Sequence, residues 1–251
     1  MSHGRKNHGL PLASAPIVPP LPVGGELTES SVLALLWKDL QIEFRTKETL
    51  ASLLMLGLLT LLILSFAFDP MSELRSEAAP AVLWVAVIFA GVLGINRSFL
   101  TERDNECMQG LLLAPVDRGT IYLAKVVGNV LFMVTAQALI VPIFVLFFNL
   151  SQSLVVLLRL VPVLLLGLIG FAAVGTLFAA VSVRTRAREV MLPLLLLPLA
   201  VPVLIAGVKA SARVLAGKPL ADVSQWLHLL IGFDVLFLVV GWMVFEYAVE
   251  E

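Results

Sequence analysis

Charged residues are scarce in this chain, so the places where they cluster mark where recognition or chemistry can occur. The densest run is Glu102-Arg103-Asp104-Asn105-Glu106, followed by Cys107 and then by Gly110-Leu111-Leu112-Leu113-Ala114-Pro115-Val116-Asp117-Arg118. Charges, a leucine run, a proline and an aspartate placed to cap the next helix describe a short surface helix, charges outward and leucines inward. Such an element suits force transfer, because a rigid helix end seated in the cleft of a separate motor carries that motor's movement onward. A plain amphipathic connector is the other reading of the same periodicity. Arg184, Arg186 and Arg188 form a second cluster. Its simple role is to fix topology and touch anionic lipid; a second contact with a motor is the sharper one. Asp234 is an isolated acid inside an apolar run and is a functional candidate by its cost alone. Its expected role is a pairing with a neighbouring helix or a place at a subunit contact, with direct substrate contact as the alternative. His228, near the start of the same run, reads as an interfacial polar residue, with axial ligation of a metal centre as the alternative.

What is missing narrows the chemistry further. No Gly-x-x-x-x-Gly-Lys-Ser/Thr loop is present to cradle nucleotide phosphates, so any ATP must be bound by another chain. Cys107 is the only cysteine, which rules out an internal disulfide or a Cys-x-x-Cys pair. The three histidines, His3, His8 and His228, are too few and too scattered for a compact metal site. No Ser/His/Asp or Cys/His set and no facing pair of carboxylates can be assembled, so the chain is expected to be non-catalytic and to bind no cofactor of its own. The formal net charge of -1 offers no footprint for nucleic acid.

The elements that must position these residues belong to a membrane. Of 251 residues, 59% are hydrophobic and only 14% charged. Soluble domains carry about 25% charged residues, and a chain this apolar would aggregate in water. Residues 1–30 hold Pro11, Pro16, Pro19, Pro20, Pro22 and Gly24-Gly25, and are expected to form a disordered tail. In 31–48, Leu33, Leu36, Trp37, Leu40 and Phe44 fall on one helical face, with Lys38, Asp39 and Arg45 pointing away. That pattern predicts an amphipathic helix lying in the membrane interface, with Trp37, Leu40 and Phe44 as its anchors, or else one packed on protein at the membrane surface. Six spans follow, at about 49–68, 81–99, 121–148, 154–183, 191–208 and 226–245, each able to cross roughly 30 Å of hydrocarbon. A polar loop, 100–120, separates the second span from the third. The fourth carries Gly167, Gly170 and Gly175, which allow close helix approach; the third carries Asn129 and Gln137, which can bond across helices. Pro193, Pro198 and Pro202 predict a kinked fifth span.

Lys and Arg set the orientation. With both termini in the cytoplasm, 12 of the 17 basic residues fall on the inner side, and the 100–120 loop faces the cytoplasm. The expected fold is therefore an all-α integral membrane protein: six transmembrane helices behind an interfacial amphipathic helix.

The charged run Glu102–Glu106, the segment Gly110–Arg118 and Lys125 together resemble the signature loop of ABC-2 type export permeases, which also lies between the second and third spans. Further segments are similar to the CcmB family of cytochrome c maturation permeases, also called haem exporter protein B. They are Trp84 with Phe89–Phe99, Arg184–Glu189, the proline-spaced run from Leu192, Phe233-Asp234 and the terminal Glu250-Glu251. The resemblance covers about residues 32–251 and leaves the tail outside. It implies a bacterial inner-membrane permease subunit with no nucleotide site. The implied partners are a cytoplasmic ABC ATPase (CcmA-like), a haem-handling membrane protein (CcmC-like), a small single-span protein (CcmD-like) and a haem chaperone (CcmE-like), with lipid around them. ATP use would be tied to release of the haem-loaded chaperone. On this resemblance Glu102, Arg103, Glu106, Leu111, Leu112, Pro115 and Arg118 carry the coupling to the ATPase. An ABC-2 permease for a different cargo, such as a drug, lipid or polysaccharide, is the alternative.

Overall fold

The computed structural model describes residues 47–68, 73–104, 118–150, 154–182 and 188–250. The proline-rich tail, the amphipathic segment with Trp37, Leu40 and Phe44, and the loop residues Glu106, Leu111, Leu112 and Pro115 lie outside them, as do Arg184 and Arg186.

Among the described residues there are six α-helices and one 3-10 turn. They are α1 (Lys47–Ala67), α2 (Glu73–Asp104), α3 (Arg118–Phe147), α4 (Leu154–Ser182), α5 (Arg188–Leu215) and α6 (Ser224–Glu250), with the 3-10 turn Leu220–Val223 leading into α6. Long unbroken helices are what a lipid solvent demands, since backbone groups have no water to bond. Five segments are long and apolar enough to cross a membrane: Leu74–Asn96, Gly119–Phe147, Leu154–Ser182, Met191–Leu215 and Leu220–Phe245. The apolar part of α1, Ala51–Ala67, is shorter. The whole of α1, at 21 residues, reaches about 32 Å.

Two helices run furthest past the apolar runs that announce them. The second span, read as 81–99, lies within a helix that begins at Glu73 and continues through the charged Thr101–Asp104 turn. The fifth, read as 191–208, continues to Leu215. There Lys209 and Arg213 face outward while Ala206, Ala210 and Val214 keep the inward stripe going, so nothing in the packing ends the helix. Pro193, Pro198 and Pro202 all lie inside this one helix. None of the three is buried, so their rings interrupt the hydrogen-bond ladder without entering the core.

α4 is the hub. It packs on α2, α3, α5 and α6, whereas α1 lies against α2 and α3. α6 closes the other side against α3, α4 and α5. The end of α1 and the start of α2, the end of α3 and the start of α4, and the 216–219 connection lie at one end of the bundle. The end of α2, the start of α3, the end of α4, the start of α5 and the end of α6 lie at the other, here called the loop end. At the first end Arg75 ties three helices together: its Nη2 donates to Ser65 Oγ at 2.9 Å and to the Phe147 carbonyl at 2.5 Å. The guanidinium also lies over the Phe148 ring, 5.4 Å from its centroid. Remaining apolar surface, including Met55, Leu59 and Phe66 of α1 and Val235, Leu236 and Val239 of α6, points outward. In water such faces would aggregate; in a bilayer they are the surface lipid wets.

Candidate functional site

Trp84 of α2 shows how the bundle is keyed. Its indole is 2% exposed. It occupies slots that only glycine can leave, one at Gly167 of α4 and one at Gly207 of α5, where an added Cβ would overlap the ring. The indole N–H donates to Ser211 Oγ of α5 at 3.0 Å, so the buried polar atom is satisfied. Gly175 admits Ile95 of α2, and Gly170 admits Asp234 and Phe233 of α6. The fourth-span glycines therefore receive side chains from two different helices. Asn129 Nδ2 donates to Thr176 Oγ1 at 2.9 Å, the cross-helix bond between α3 and α4. Gln137 is buried, and its Oε1 finds no partner among the described residues.

The loop end connects to this interior through the start of α3. Glu102 and Arg103 occupy the last turn of α2 and Arg118 opens α3, so the helix ends place all three at the mouth of the 105–117 segment. One residue into α3, Gly119 leaves room for the Trp242 indole of α6. One turn further in, Tyr122 is 0% exposed. Its hydroxyl donates towards two main-chain carbonyls, Ala173 of α4 at 3.0 Å and Phe237 of α6 at 3.2 Å. Gly241 makes space for the phenol, and the Phe245 ring packs against it with centroids 5.6 Å apart. A single side chain from α3 thereby bridges the α4–α6 contact.

One helical turn beyond Tyr122's acceptors, the same contact holds Asp234. Ala173 and Gly170 are three residues apart on α4, as are Phe237 and Asp234 on α6. Asp234 is 5% exposed, it faces Gly170, and neither carboxylate oxygen has a hydrogen-bond partner among the described residues. No hydrogen bond from a neighbouring helix reaches this carboxylate among the described residues. Asp234 instead occupies the inward stripe of α6, in line with Leu230, Phe233, Phe237, Gly241 and Phe245. His228 is on the exposed face near the start of α6. Among the described residues no three His, Cys, Asp or Glu side chains come close enough to hold a metal ion.

Reading the sequence singled out Asp234 and the helix ends, and did not mark Tyr122. The available signal was slight: Tyr122 is one of two tyrosines in the chain, four residues after Arg118 in a largely apolar helix.

Comparison with known proteins extends these observations. A family model described as CcmB protein matches residues 30–251. Heme exporter protein B of Pseudomonas aeruginosa is 31% identical over 197 residues, covering 77% of this chain and 86% of that protein. The protein of that name from Paracoccus denitrificans is 31% identical over 184 residues, 73% of this chain and 84% of its own. The Rhodobacter capsulatus protein is 28% identical over 180 residues, covering 72% and 82%.

Proposed function

The chain belongs to the CcmB protein family, and from that premise we propose that it is the membrane permease subunit of an ABC-type complex serving haem export and cytochrome c maturation. The single observation that carries this is the family match running through all six helices, at 31% identity to a heme exporter protein B over 86% of that protein. In this reading the complex resides in the bacterial inner membrane. The 105–117 segment and both termini face the cytoplasm, as the excess of Lys and Arg on that side favours. A separate CcmA-like ATPase binds and hydrolyses ATP. CcmC-like, CcmD-like and CcmE-like proteins complete the assembly, with haem as cargo of the complex and the loaded chaperone released at the expense of ATP.

The helix ends support a mechanical division of labour. Glu102 and Arg103 close α2 and Arg118 opens α3, so a motor gripping the intervening segment pulls on two helices at once. Glu106, Leu111, Leu112 and Pro115 lie in the gripped segment. The amphipathic stretch with Trp37, Leu40 and Phe44 steadies the assembly from the interface. Movement of α3 reaches α4 and α6 through Tyr122, whose hydroxyl touches both.

The test is a stain for covalently bound haem in membranes of cells lacking the gene, with the gene restored as control. Loss of all c-type cytochromes, rescued by the gene, is expected. Normal cytochromes in the absence of a duplicate gene would overturn the assignment and leave an ABC-2 permease for another cargo.

A further inference from the structure

We propose that the α4–α6 contact is a seam that opens, with Tyr122 as its latch and Asp234 as the group that opening exposes. The seam carries opposing elements one helical turn apart. At Asp234, a carboxyl 5% exposed has no hydrogen-bond partner among the described residues. A buried acid without partners is disfavoured whether it is ionised or neutral, so the closed seam is opposed by its own contents. A leucine at this position would instead weld the inward stripe of α6 shut. At Tyr122, one hydroxyl reaches carbonyls of both helices, at 3.0 and 3.2 Å. Gly241 is the recess that receives the phenol, and Phe245 is its backing.

The placement of the latch gives it a driver. Tyr122 is four residues beyond Arg118, where the 105–117 segment rejoins the bundle, and Gly119 between them is keyed to Trp242. A shift or rotation of the first turn of α3 withdraws the hydroxyl from both acceptors and lifts Trp242 with it. α6 is the helix to move, since its apolar stretch is the least buried of the five long ones. Opposed terms at one packed contact suit a two-state element rather than a soft one. This inference rests on the coupling reading only in naming what drives the latch; the latch itself is testable without nucleotide.

The experiment uses the full chain in its native membranes with its partners present. The probe is dicyclohexylcarbodiimide, an apolar reagent that modifies carboxyl groups within membranes, with modification mapped to Asp234 by mass spectrometry and Asp234→Asn as the blank. Labelling is expected to be slow in the resting protein. Tyr122→Phe keeps the ring and removes the bridging hydroxyl, and should raise the labelling rate by about tenfold, the weight of one buried hydrogen bond. Equal rates in the two proteins would overturn the latch. If Tyr122→Phe depletes the chain from membranes, adding Asp234→Leu should restore its level, because the strain on the seam is gone; no restoration would also overturn it. ATP added to the wild-type complex should accelerate labelling. A Tyr122→Phe effect without an ATP effect would keep the latch and contradict the coupling reading alone.

Discussion

At the scale of single residues, the bundle depends on large side chains entering spaces that glycine leaves open. Trp84 enters two, at Gly167 and Gly207. Gly207→Val should therefore force the indole out and cost about 1–3 kcal/mol through overpacking, read as a lowered unfolding midpoint in detergent. Gly232→Val is the matching control, because nothing lies within 4 Å of its missing Cβ. It should leave the midpoint unchanged. Asn129→Ala breaks the 2.9 Å bond to Thr176 and should lower stability by only about 0.6 kcal/mol, the average for cross-helix bonds in membranes. A loss as large as that of Gly207→Val would show that the polar pair, rather than the glycine slots, organises the core. Gly167, Gly170 and Gly175 were recognisable in the sequence as points of close approach. Their occupants, Trp84, Asp234 with Phe233, and Ile95, were not. Spacing along one helix reveals its close-packing face, but not which neighbour that face meets or at what height.

At the scale of elements, apolar runs were a good guide to the helices and a poor guide to their ends. Lys209 and Arg213 made the fifth span look finished near residue 208, yet α5 runs to Leu215 because Ala210 and Val214 continue the buried stripe. Charge marks where lipid stops being the solvent, whereas a helix stops where its packing or capping stops. Asp234 illustrates the converse. Its place on the stripe Leu230-Phe233-Phe237-Gly241-Phe245 could be read from spacing, but its want of a partner among the described residues could not, since that depends on the face of α4 opposite. The link between α1 and the rest gives a prediction of its own. Arg75 joins α1, α2 and α3 through Ser65 and the Phe147 carbonyl. Arg75→Met keeps most of the aliphatic stem and deletes the donors, leaving a carbonyl at the end of α3 without its partner. Protease cleavage in the 68–72 connection should then become faster while the other helices stay protected. Unchanged cleavage would mean that packing of α1 on α2 suffices to hold that end.

At the scale of the whole molecule, the proposed orientation rests on the hydrophobic exterior and on the uneven distribution of 17 basic residues. Alkaline phosphatase, active only outside the cytoplasm, should be silent when fused after Glu251 and active when inserted at 216–219. The reverse result would invert the orientation and remove the loop end from the side where ATP is available. All-helical architecture and membrane residence were legible from composition and hydropathy alone, because a lipid solvent permits few other solutions. The column from Gly119 through Tyr122 to Asp234 was not, because it is assembled from three helices distant in sequence. In the proposed reading, the mouth formed by the end of α2 and the start of α3 takes up the work of a partner ATPase. Its most direct test is to stain covalently bound haem in cells whose only copy carries Glu102→Ala and Arg103→Ala, while measuring in the same membranes how much ATPase co-purifies with the chain. Loss of c-type cytochromes with the chain inserted and the ATPase still bound is the predicted result. Normal cytochrome levels with both substitutions in place would contradict it.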